Sequence, residues 1–404
     1  MDVPTGRIVI FGAGNIGRSF IGQVFSRGGW EVVFVDVDPG LVAALNERRG
    51  YPVAVKRQGR PDETTWVRNV RAVDGRDLAA VAAELAAADL AATSVGKAAL
   101  PRIVAAIAAG LRARGDSAAG PAVRPLDLIL AENDREAPET LRLALEAALP
   151  PGFPLAERLG LVETSIGKMV PIMRAADLAR DRLRVFAEAY NELIVDRRGF
   201  LGPLPELPDL RPVDNILAYV DRKLFVHNLG HAAVAYLGRR LDPSAGLICE
   251  ALELPGIRDA ARLAMSEAAA ALAREYPADL SPASLEAHIE DLLGRFANAA
   301  LGDTVYRVGR DLPRKLHRSD RIVGAALLCE RHGLAWDAVA EVFGAALRFD
   351  AVDESGAPFP ADVGARELLG REGIGGFLTQ VCGLDVGSAL DGRVRAALGR
   401  SAAR

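Results

Sequence analysis

Apolar positions in the first two hundred residues come as short continuous runs separated by amphipathic stretches, the rhythm of alternating strands and helices. Arg7–Phe11 (RIVIF), Glu31–Val35, Leu90–Thr93 and Leu126–Ala131 read as short buried strands. Helical periodicity is expected from Gly17 to about Arg27, and over 77–88, 98–114 and 136–148. Residues 53–73 alternate with period two and carry charges, which predicts a hairpin insertion. Arg184–Val195 reads as one strand by its branched and aromatic content. Small residues and prolines over 117–125 predict a loop, and Arg198–Pro205 is a Gly/Pro connector. Placing the boundary there gives domains 1–202 and 203–404. After it the pattern is helical: 213–238, 255–275, 281–296, 320–332, 335–347, 363–370 and 372–382.

The first strand runs directly into Gly12-Ala13-Gly14-Asn15-Ile16-Gly17, a G-x-G-x-x-G between strand and helix. In that context the first glycine permits the turn, the second lets a pyrophosphate approach the backbone, and the third lets the helix pack on the strand. The helix N-terminus adds N–H donors and a positive dipole end. The second strand ends at Asp36, an acid placed for ribose hydroxyls, with no arginine directly after it for a 2′-phosphate. NAD is therefore expected over NADP, a flavin or a non-redox nucleotide being the alternative. Ser94-Val95-Gly96 follows another strand and belongs at the same carboxyl edge, as does Asn133. The fold class is an α/β Rossmann-type N-terminal domain plus a mainly α-helical C-terminal domain.

Composition narrows the partners. The chain has 404 residues and a net charge of −4, no footprint for nucleic acid or an anionic membrane. Its three cysteines are far apart and form no metal-ligand spacing, so reduced thiols in a cytoplasmic protein are expected. Nothing in the sequence predicts a membrane span. Of 49 Lys plus Arg, five are lysines: Lys56, Lys97, Lys168, Lys223 and Lys315. A chain this biased toward arginine keeps lysine where a compact or deprotonatable amine is needed.

One of these, Lys223, shares a predicted helix with Asn228 and His231. At about 100° per residue, Lys223 and His231 lie about 80° apart, with Asn228 about 60° beyond His231. An amine, a carboxamide and an imidazole over one patch can handle the proton and oxygen of an alcohol. Lys223 would be the base, its pKa lowered by burial. Asn228 and Asn133 would donate to the developing alkoxide, and His231 would orient the substrate oxygen. With a dinucleotide site this predicts a hydride-transfer enzyme acting on an alcohol without metal. Tyr219 and Lys223 also make the Y-x-x-x-K of short-chain dehydrogenases, but the glycine spacing is that of a standard Rossmann turn.

The K-x-x-x-x-N-x-x-H pattern of Lys223, Asn228 and His231 resembles the active-site motif of the polyol-specific long-chain dehydrogenases, the mannitol dehydrogenase family. FGAGNIGR, ELIVD at 192–196, and GRF…RVGR…RKL…DR…GA at 294–325 extend the resemblance over nearly the whole chain. It implies a Rossmann-type domain with a helical domain, and NAD-dependent interconversion of a sugar-alcohol phosphate and a ketose phosphate, mannitol 1-phosphate and fructose 6-phosphate. The family's Asp-Arg before Val-Pro is Gly167-Lys168 here. Arg307, Arg310, Arg314 and Lys315 crowd one segment, and a phosphate dianion needs such donors. Lys168 would add a contact from the first domain. The alternatives are an unphosphorylated polyol or a hexuronate as substrate, or a non-catalytic NAD-binding sensor.

Overall fold

The computed structural model describes residues 5–116, 124–132, 135–171, 173 and 175–403. Asn133 and most of the 117–125 loop lie outside these. The chain divides into two compact units between Ile216 and Leu217.

The first unit carries eleven strands among its described residues: β1 Arg7–Phe11, β2 Glu31–Asp36, β3 Gly50–Lys56, β4 Glu63–Arg68, β5 Val70–Asp74, β6 Leu90–Thr93, β7 Leu126–Leu130, β8 Leu159–Ser165, β9 Val185–Glu188, β10 Leu193–Asp196 and β11 Leu210–Val213. Eight form one sheet in the order β11-β10-β8-β7-β6-β1-β2-β5. From β5 to β8 it is parallel. The chain reverses strand order beside β1, between β2 and β6, the switch point at which a doubly wound sheet opens its ligand crevice. Successive residues of β1 point to opposite faces. Ile8 and Ile10 join a core with Phe20, Val24 and Tyr51. Val9 and Phe11 join another with Val81, Leu85 and Ile107.

Four expectations are corrected here. The 53–73 pattern is not one insertion. Asn69 adopts a left-handed conformation (φ 57°) that breaks it, so β3 and β4 form the hairpin while β5 returns to the main sheet. Nor is 184–195 one strand. Asn191 turns its amide toward Asp209 and Lys168, leaving β9 in a small sheet with β3 and β4, and β10 against β8. The boundary moves from 202/203 to 216/217 because β11 pairs with β10 and carries the connector into the sheet. Finally, helices Pro39–Arg48, Ile248–Glu253 and Ala389–Ala403 stand where no element was expected.

The second unit is helical. Ile216–Leu241 is continuous and packs on Ile257–Glu275. The predicted break near residue 371 is real: Gly373 takes φ 64° inside Pro360–Gln380. The cationic segment is not a loop but two short helices, Val305–Gly309 and Leu312–Lys315. Two buried groups hold it. Tyr236 donates its hydroxyl to Gly309 O at 2.7 Å, and Asp362 accepts from Leu312 N–H at 2.6 Å. Among the described residues, no helix is long and apolar enough to cross a membrane.

The Tyr236 bond ties the helix bearing Lys223 to the segment bearing Arg307. Tyr236→Phe strands a buried carbonyl, and equilibrium urea unfolding is expected to show a loss of about 1–3 kcal/mol.

Candidate active site

In the first unit, the chain leaves β1 at Gly12 with φ +92°, where a Cβ would lie 2.7 Å from Ser94 O. A Cβ on Gly17 would lie 2.1 Å from Gly12 O, but one on Gly14 would meet nothing within 4 Å. The outer glycines are closed by packing and the middle one faces open space, as a bound pyrophosphate requires. Gly14 and Asn15 are exposed, and Ile16 packs partly against the sheet core. This turn fits a dinucleotide.

The turn is held from both sides. Ala13 N–H donates to Asp36 at 2.7 Å, while Arg18 Nε donates to Ala13 O at 2.6 Å. Arg18 is buried and also donates to Leu183 O at 2.8 Å. The second Asp36 oxygen accepts from Asp38 N–H at 3.0 Å. The neighbouring turn is held by a group the sequence reading passed over. Glu132 accepts from the Thr93 hydroxyl and from Val95 N–H (3.1 Å). Burial pushes its carboxyl above the usual range while these bonds oppose the rise. Ser94 in turn lies 2.9 Å from Gly12 O through its hydroxyl, and Gly96 takes φ +82°. Ser94, Val95 and Gly96 therefore stand beside the glycine turn as expected.

In the second unit, the helix of Lys223, Asn228 and His231 is not regular. Ile216–Arg222 and Leu229–Leu241 are α-helical, but Lys223–Asn228 is π-helical. With bonding moved from i+4 to i+5, each residue advances by roughly 80–85° instead of about 100°. Asn228 then falls within about 60° of Lys223 and His231 comes almost in line with it, a tighter grouping than an α-helix allows. Asn228 spends no side-chain bond on capping the helix that follows.

Electrostatics sharpen the roles. Loss of hydration, with Arg321 adding repulsion, brings the Lys223 amine down to about 7. Burial and the nearby Arg307, Arg321 and Lys315 push His231 down to about 3, so its ring is neutral. That ring stacks on Phe296 at 4.7 Å, and its Nε2 lies 3.6 Å from Asp303 Oδ2. His227 packs against Phe296 and is held well below its usual range, chiefly by burial. Arg321, Asp303 and Phe296 were missed as functional candidates. Their sequence signal was only position in a motif run, because what they do depends on contacts across helices.

Each expected phosphate ligand already has a partner. Arg307 pairs with Asp303, and Arg310 lies 5.4 Å from the rings of Tyr306 and Phe359. Arg314 pairs with Asp311 at 2.5 Å. Lys315, 4% exposed, donates to Val308 O at 2.6 Å and to Arg310 O. Its burial beside Arg321 and Arg314 pushes the amine to about 6. Lys168, in the first unit, is buried and donates to Asn191 at 2.6 Å and Gln23 at 3.3 Å.

Comparison with known proteins bears on these arrangements. Residues 6–209 match the model of the mannitol dehydrogenase Rossmann domain, and 215–386 that of the mannitol dehydrogenase C-terminal domain. The chain is 39% identical over 344 residues to mannitol-1-phosphate 5-dehydrogenase of Brevibacillus brevis, covering 85% of this chain and 86% of that one. Two solved structures share the fold. A D-sorbitol dehydrogenase matches with TM-score 0.77 and 16% identity over 99% of this chain and 95% of its own. Mannitol 2-dehydrogenase of Pseudomonas fluorescens, in a ternary complex with NAD and D-mannitol, matches with TM-score 0.70 and 15% identity over 99% and 92%. With both family models matched in order and the dinucleotide turn and Lys–Asn–His helix inside them, the chain belongs to the mannitol dehydrogenase family.

Proposed function

We propose that this protein interconverts mannitol 1-phosphate and fructose 6-phosphate, with Lys223 as general base and without a metal. The chain is an NAD-dependent polyol dehydrogenase by family. The observation that carries the mechanism is the Lys223 amine, brought to about 7 on the π-helical turn that leads into the α-helical segment bearing a neutral His231. NAD, which the Gly12–Gly17 turn and Asp36 would hold, would supply the acceptor for the hydride leaving the carbon that bears the hydroxyl. Lys223 takes the hydroxyl proton, being substantially neutral near pH 7. His231 holds the same oxygen in place. Asn228 and Asn133 donate N–H to the alkoxide as it forms.

The phosphate end falls to the 305–315 segment. Arg307 keeps a buried Nε with no hydrogen-bond partner, and Lys315 and Arg321 lie close enough to lower the pKa of His231. A dianion there would relieve repulsion among these cations. Arg310 and Arg314 would have to exchange their present partners to join it. Those pairings favour a second reading, in which the substrate is an unphosphorylated polyol or a hexuronate.

Lys223→Ala is expected to lose about 10²–10⁴-fold in turnover, the usual worth of a positioned acid/base. It should still bind NAD, and chelation should leave the wild-type rate unchanged. Polyol oxidation needs the neutral amine, so its kcat/KM should rise with pH through about 7 and level off. Ketose reduction needs the ammonium and should fall over the same range. An inflection that survives in Lys223→Ala would assign the base elsewhere.

NAD should be preferred over NADP because Asp36 both faces ribose hydroxyls and repels a 2′-phosphate. Asp36→Ala should narrow that preference by about 10-fold or more while weakening NAD itself, since Ala13 N–H loses its acceptor. Equal use of both cofactors by the wild type would overturn the assignment.

For the phosphate, kcat/KM for mannitol 1-phosphate and for mannitol should differ by two or more orders of magnitude, two charged contacts each being worth about 1.5–3 kcal/mol. Arg307→Met should erase much of that gap. If mannitol reacts as well as its ester in the wild type, the unphosphorylated reading takes over.

A further inference from the structure

Asp303 is a buried carboxylate that neither the cofactor turn nor the proton transfer uses. Its backbone is pinned. Ile248 N–H donates to Asp303 O at 2.9 Å, Thr304 bridges to Leu247, and Val305 N–H donates to Gly246 O at 2.9 Å. The side chain is 7% exposed. One oxygen takes Arg307 Nη2 in an ion pair, and the other lies 3.6 Å from His231 Nε2, just beyond hydrogen-bond reach. The carboxylate thus stands between the imidazole of the Lys–Asn–His motif and the guanidinium offered for phosphate.

Two polar atoms are left over around it. His231 Nε2 and Arg307 Nε are both shielded from water and have no hydrogen-bond partner. A native protein seldom leaves two such atoms idle on residues that flank one carboxylate unless a ligand completes them. Arg295, Arg321 and Lys315 also push the His231 ring down, and a carboxylate here offsets that repulsion. Stacking on Phe296 fixes the plane of the imidazole, and Thr304 accepts Arg307 N–H at 3.1 Å, fixing where that side chain begins.

We propose that Asp303 is a specificity-determining positioning residue that holds His231 and Arg307 at one spacing, so that a polyol phosphate spans them and the bare polyol does not. The proposal rests on the phosphate reading above. A ligand with a hydroxyl at one end and a dianion at the other would satisfy His231 Nε2 and Arg307 Nε together. Asp303 itself touches neither end.

The test is the ratio of kcat/KM for mannitol 1-phosphate to that for mannitol, measured on the full-length enzyme. Asp303→Asn keeps the shape and removes the charge, and should lower the ratio by about 10–100-fold, the scale of one charged contact. NAD titration by fluorescence should show cofactor binding retained. Asp303→Glu keeps the charge but displaces it by one methylene, and should lower the ratio by a smaller factor. Equal losses on both substrates would make Asp303 a scaffold residue and overturn the proposal, as would an unchanged ratio. Should Asp303→Asn fail to fold, the ratio for Asp303→Glu decides by the same criterion. Arg307→Met separates the two layers. If it leaves the ratio unchanged, the phosphate reading itself fails. If it lowers the ratio and the Asp303 variants do not, only the role of Asp303 falls.

Discussion

Withdrawal of the Lys223 amine from water is the interaction on which the proposed proton transfer depends. An ammonium in water holds its proton to about 10. Here burial and Arg321 bring that down to about 7. The same loss of hydration acts on His231, His227, His288 and Lys315. The helical unit therefore gathers basic groups that give up their protons more readily than they would in water. Burying a charge is costly, and giving up the proton lowers that cost. A lysine in that state can take a proton from an alcohol, and a neutral imidazole beside it can orient the oxygen without competing for it.

The first unit solves a different problem, which is to keep a glycine-rich turn in one shape before any cofactor arrives. Asp36 holds Ala13 by its N–H and Arg18 holds it by its carbonyl. Glu132 does the same for the turn beyond β6. Apart from the Thr93 hydroxyl bond, these are buried or half-buried charge-assisted bonds to backbone, the stronger sort of hydrogen bond. Rigidity of this kind lowers the ordering cost of binding. Asp36 braces the turn through both of its carboxylate oxygens.

The π-helical turn links local backbone to site geometry. A single i+5 register over Lys223–Asn228 regroups three side chains that a regular helix would spread over about 140°. Gly230 lets the helix lie close on its neighbour, where a Cβ would come within 2.3 Å of Met265 Sδ. Packing against Ile257–Glu275 supports the helix through the irregular turn.

Much of this was legible in the residues. The strand-turn-helix context of Gly12, Gly14 and Gly17 carries its own backbone logic, since φ, close approach and packing are local demands that only glycine meets. The apolar runs of β1, β2, β6 and β7 and the helical periodicity after residue 213 specify the doubly wound and helical units, because burial on a sheet or helix face requires those periods. Lys223, Asn228 and His231 stood out as residue types. What the sequence did not determine was register and pairing. Asn69 split a strand pattern, β11 carried the boundary to Ile216, and the cationic 305–315 segment became two helices with each cation paired. Arg18 and Glu132 reach partners far away in sequence, and Asp303 and Arg321 act on His231 and Lys223 of another helix. Periodicity reports which face of an element is buried, and a motif reports local backbone demands. Hydration, pKa and the choice of hydrogen-bond partner depend on everything packed around a group, so they exist only once the chain has folded.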